Sequence, residues 1–95
     1  MDYDLRGLTV MPGWIDAHVH ITSSFGKDGK YAGGEETTPE AAYRTASNAW
    51  VTLMAGFTTV QSMGPAGPLR DAIAQGILPG PRILMIVQDL PGQGE

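Results

Sequence analysis

The chain reads as an α/β unit built on a parallel sheet, and three observations carry that reading. β-rich segments alternate with helix-patterned ones in the order strand, helix, strand, helix, strand, which implies parallel pairing through right-handed crossovers. The last strand segment, Arg82-Ile83-Leu84-Met85-Ile86-Val87, is almost continuously apolar, as a parallel strand buried on both faces should be. The 13 glycines and 7 prolines fall between the apolar segments, where turns belong.

Residues 2–10 include Leu5-Arg6-Gly7-Leu8-Thr9-Val10, a short strand or a turn leading to Pro12. The first clear strand runs from Trp14 to about His20. Its apolar Ile15, Ala17, Val19 and Ile21 alternate with the polar Asp16, His18 and His20, so the two sets face opposite ways. Thr22 to Thr38 is a long polar loop, either functional or a surface excursion. A helix follows: Thr38 can cap it, Pro39 suits its first position, and Glu40 suits the positive end of its dipole. Ala42, Ala46, Ala49, Trp50 and Leu53 form its apolar stripe, with Trp50 in the core. Arg44, Ser47 and Asn48 face water. Gly56 fits the left-handed position after the last turn.

Phe57 to Met63 is a second strand, β-rich in composition. Gly64-Pro65-Ala66-Gly67-Pro68 turns the chain, and its prolines lack the amide donors a phosphate cradle needs. Leu69 to Gln75 is a short helix with Leu69, Ala72 and Ile73 on one side, ended by Gly76. Leu78-Pro79-Gly80-Pro81 connects to the third strand, and Gln88 to Glu95 read as loop.

With 95 residues there is room for one small domain. The net charge of -4 and the lack of a basic cluster argue against a nucleic-acid surface. Cysteine is absent, which excludes disulfides, thiolate metal sites and cysteine nucleophiles. No apolar run approaches the roughly 20 residues of a membrane span. The start, Met1-Asp2-Tyr3-Asp4-Leu5-Arg6, lacks the pattern of a signal peptide, and a cytoplasmic location is the expectation.

The two histidines, His18 and His20, carry the chemistry. On one strand face their Cα atoms would lie roughly 6.6 Å apart, at about 3.3 Å rise per residue. Two imidazoles so spaced can converge on one ion, and neutral imidazole suits zinc and its neighbours. A bare His-x-His pair is more often a hydrogen-bonded bystander. Asp16, one step deeper, either orients His18 or is a structural aspartate pairing with neighbouring strands. Glu35 and Glu36 could do acid–base work, but acids in a polar loop are usually solvated; Lys27 and Lys30 are read as solvated too.

The context of the histidines narrows these choices. Pro12-Gly13-Trp14-Ile15-Asp16-Ala17-His18-Val19-His20 resembles the first-strand metal motif of the amidohydrolase superfamily, metal-dependent hydrolases on a (β/α)8 barrel. Gly56-Phe57-Thr58-Thr59-Val60 resembles that family's second strand. Leu69 to Gly76, followed by Gly80-Pro81-Arg82-Ile83-Leu84, is similar to its next helix and third strand. The combination is most similar to the branch of imidazolonepropionase-like enzymes and Xaa-Pro dipeptidases. Where many relatives carry Arg-Asp after the second motif, this chain has Gln61-Ser62, which leaves subfamily and substrate open.

The resemblance implies a partial TIM-type barrel, strands 1–3 with two helices. Residues 1–11 would be the remnant of a β-sandwich and residues 12–95 the N-terminal part of the barrel. It implies that His18 and His20 hold the more buried ion, zinc first, of a one- or two-metal centre. The reaction implied is hydrolysis of a C–N bond, in an amide, cyclic amide or dipeptide, by metal-activated water. Partners would be a small-molecule or dipeptide substrate and the remaining barrel, with neither nucleic acid nor membrane and a homo-oligomeric complete enzyme. A full barrel needs about 250 residues, and catalytic zinc takes three protein ligands. The chain alone is therefore expected to be inactive. The alternative is a non-catalytic α/β metal-binding or assembly module derived from the same fold.

Overall fold

The computed structural model describes residues 2–31 and 38–86. Its elements follow the expected order: β1 (Trp14–Val19), α1 (Thr38–Met54), β2 (Phe57–Ser62), α2 (Gly67–Ala74) and β3 (Arg82–Met85). The strands form one parallel sheet in the order β1-β2-β3. Each strand ends one or two residues earlier than its sequence pattern. Glu35, Glu36 and the segment 88–95 lie outside the described residues. Residues 2–13 form no strand; they make a turn at Arg6 and Gly7. No helix among the described residues is long and apolar enough to cross a membrane.

The helix ends follow from local chemistry. α1 closes at Gly56, whose φ of +99° suits glycine and whose N–H donates to the Leu53 carbonyl at 3.0 Å. α2 carries Pro68 in its first turn. It ends in paired bonds from the Gly76 N–H to the Ile73 carbonyl and from the Ile77 N–H to the Ala72 carbonyl. Gly76 takes the left-handed conformation, at φ +75°, that this closure requires.

Both helices contribute to one apolar cluster against one face of the sheet. Val60 and Ile83, neighbours in register, are buried there with Ile21, Ala49, Ala66 and Leu69. Ser62 is buried on the same face, and its hydroxyl donates to the Gly64 carbonyl at 3.2 Å. Ala49 is the fully buried point of α1. The connector before β3 passes so close that a Cβ on Gly80 would sit 3.2 Å from the Ala49 Cβ.

The opposite face is open. Ile15 is 70% exposed and Leu84 51% exposed, so β3 is buried on one side rather than two. Two further expectations change. Trp50 is 49% exposed and is not core. At 3.6 residues per turn, one step beyond Ala49 rotates the side chain about 100° away from the sheet. Asn48, expected in water, is half-buried and hydrogen-bonded to the loop after β1.

Simple alternation along β1 also fails. Ile15 pairs with Thr59 and Val19 with Ser62, with register shifts between Trp14 and Ile15 and between Asp16 and Val19. Thr59 and Ser62 are three apart on a regularly paired strand, so they face opposite ways. Ile15 therefore points to the open face and Val19 to the helices. An extra residue in β1 absorbs the difference, as in a bulge.

Candidate metal centre

The bulge determines what the histidines face. Val19 packs toward the helices, so its neighbours His18 and His20 project from the other, open face, and both are exposed. They sit at the C-terminal end of β1, the end where barrels of parallel strands carry their chemistry. The strand is held there by the Met63 N–H, which donates to the Val19 carbonyl at 2.8 Å. The Ser23 N–H then closes a turn onto the His20 carbonyl at 2.9 Å.

The ring centroids of His18 and His20 are 5.5 Å apart, with the planes at 61°. A zinc–nitrogen bond of about 2.0–2.1 Å puts a ring centroid roughly 3.2 Å from the ion, so two imidazoles on one tetrahedral ion stand about 5 Å apart. The separation of the pair, 5.5 Å, is close to that value. Among the described residues no group of three or more His, Cys, Asp and Glu side chains comes together. Among the described residues the candidate set is therefore the His18–His20 pair alone.

Asp16 pairs with Val60 and is half-buried. Its carboxylate accepts from the backbone N–H of His18 at 3.0 Å. That bond ties down the irregular part of β1 from which His18 projects, through the main chain rather than the imidazole. Lys27 and Lys30 are exposed in a turn closed by the single bridge between Phe25 and Tyr31. Gly13 has a role that its motif did not explain: a Cβ there would collide with the Thr58 side chain, so the chain enters β1 hard against β2.

Sequence reasoning missed Asn48. Its carboxamide nitrogen donates to the carbonyls of Ile21 at 2.8 Å and Ser23 at 2.7 Å. His20, Ile21, Ser23 and Asn48 line one cleft of about 260 Å³ together with Val51 and Thr52. The only available signal was an asparagine inside an otherwise good helix, where that residue is a weak former.

The sequence profile of the amidohydrolase family matches residues 9–88. A crystal structure of an uncharacterized protein superposes with TM-score 0.75 and 38% identity, covering 87% of this chain and 20% of that one. A prolidase complexed with N-methylphosphonate-L-proline gives TM-score 0.75 and 37% identity, with 87% and 20% coverage. A Xaa-Pro dipeptidase with methionine bound in its active site gives TM-score 0.65 and 38% identity, with 78% and 19% coverage. The chain therefore spans about a fifth of the length of the structures it matches. No match was found among curated proteins.

Proposed function

The chain belongs to the amidohydrolase family, and from that premise we propose that it carries the first-strand half of a metal centre that hydrolyses C–N bonds of small substrates. The observation that carries this reading is the His18–His20 pair, two imidazoles 5.5 Å apart on the open face at the C-terminal end of β1. The family match and the dipeptidase neighbours support hydrolytic function. The prolidase's proline phosphonate and the dipeptidase's methionine make dipeptides, Xaa-Pro among them, the first substrates to try.

His18 and His20 would hold the ion, each through a ring nitrogen. A divalent ion held there, zinc in the first instance, would supply Lewis acidity and lower the pKa of bound water. Asp16 fixes the main chain under His18. Ile15 and Leu84, on the same face, form apolar wall that keeps bulk water from the site once later strands cover it. In this reading those strands also bring the third ligand and the carboxylate that carries the proton to the leaving amine.

The test uses the full-length protein. His18→Ala and His20→Ala should each lower bound metal and abolish most hydrolysis of a panel of Xaa-Pro dipeptides and cyclic amides. Unchanged metal content with unchanged turnover would overturn the assignment.

A further inference from the structure

Among the described residues β1 pairs on one side only, with β2, and that pairing is interrupted by two register shifts. Past Val19 the ladder has ended, yet His20 must be aimed. Three features hold the chain there. Ile21 is buried in the apolar cluster. The Ser23 N–H closes the turn onto the His20 carbonyl. The Asn48 carboxamide spans 27 residues of sequence to Ile21 and 25 to Ser23, bonding both carbonyls.

The fit is chemical as well as geometric. A carboxamide nitrogen has two protons, and two carbonyls receive them. A carboxylate of the same shape has none to give. An alanine at this position would favour the helix more strongly than asparagine does. The two bonds are the compensation visible for that choice. They join α1, itself packed on β2 through Ala49, to the residue that immediately follows His20.

We propose that Asn48 is a positioning residue for the His18–His20 pair: it bolts the turn after β1 to α1 and so fixes the direction in which His20 leaves the sheet. The inference rests on the reading that the pair binds a metal. It acts through the main chain, and Asn48 itself touches neither ion nor substrate.

Four forms of the full-length protein test it: wild type, Asn48→Ala, the isosteric Asn48→Asp, and Tyr43→Ala as a control at an exposed position of α1. Zinc affinity is read by competition with a chelator, and ligand geometry by the visible spectrum of the cobalt(II) form. Hydrogen exchange over residues 19–24 is read on the metal-free form. Both Asn48 variants should bind zinc about 10–100-fold more weakly, the range for residues that orient ligands. They should also show an altered cobalt spectrum and faster exchange over 19–24, while Tyr43→Ala matches the wild type. Variants that melt earlier but keep wild-type zinc affinity and cobalt spectrum would reduce Asn48 to a structural role and overturn the proposal. Should neither variant fold, the wild type decides: zinc must slow exchange over 19–24 and around Asn48 in α1 together, and protection of the first without the second overturns it. A His18→Ala variant separates the premises. Unchanged zinc affinity there sinks the metal reading itself, whereas loss there with wild-type behaviour of the Asn48 variants sinks only the role of Asn48.

Discussion

The two faces of the sheet obey different rules. One is covered by α1 and α2 and holds the buried side chains Val60, Ser62 and Ile83. The other carries Ile15, His18, His20 and Leu84, all exposed. The covered face accounts for the fold; the open face carries the histidines on which the proposed chemistry rests and leaves its apolar residues uncovered. Such a division suits a barrel wall, where helices pack outside and the ligands point to the lumen.

The largest contrast should come from the 95-residue chain taken alone. With the open face and both sheet edges unpaired among the described residues, it should self-associate and hydrolyse no dipeptide. Sedimentation velocity and a dipeptidase assay check this. A monomer with sharp near-ultraviolet signals from Trp14 and Trp50 would break the comparison and favour an autonomous module.

Next come paired truncations in register-defined positions of β3. Ile83→Ala, on the covered face, should cost about 2–5 kcal/mol in the full-length protein and in the short chain alike. Leu84→Ala, on the open face, should weaken the self-association of the short chain and be costly in the full-length one. Urea unfolding of the four variants and sedimentation of the short ones give the answer, and unchanged self-association of the short Leu84→Ala chain would contradict the exposed apolar face. Gly13→Ala should cost about 1–3 kcal/mol, because its Cβ meets Thr58 and one strand must move. A neutral result in the same unfolding experiment would mean that β1 enters farther from β2.

How far the sequence revealed this division depends on the residue. The parallel order was legible because apolar runs, glycine stops and proline starts agree with one another along the chain. The proximity of the two histidines was legible because their spacing is local. The bulge in β1 was not, since hydropathy alternation continues through it while the backbone slips by a residue. Trp50 misled because the stripe around it is mostly alanine, which does not say which flank meets the sheet. Asn48 was illegible for another reason: its partners are carbonyls 25 and 27 residues away, and carbonyls leave no mark on a sequence.

The smallest effect belongs to the N-terminal segment. Arg6 holds the Asp4 carboxyl below its ordinary range, chiefly through the side-chain hydrogen bond and then through its backbone N–H. A depressed folded-state value gives a contribution present above the unfolded value and lost as pH falls through the folded one. Both groups lie at the surface, so Arg6→Ala should raise the Asp4 value toward the ordinary carboxylate range while leaving the melting temperature unchanged. A carbon-detected NMR titration and a thermal melt check both halves, and a lower melting temperature would mean that this segment belongs to the fold.

The claim that the open face binds metal through β1 has one most direct measurement, an anomalous-scattering crystal structure of the zinc-loaded full-length protein. The account predicts an ion bonded to one ring nitrogen each of His18 and His20, at about 2.0–2.1 Å. An ion bound elsewhere, with both imidazoles turned away from it, would contradict it.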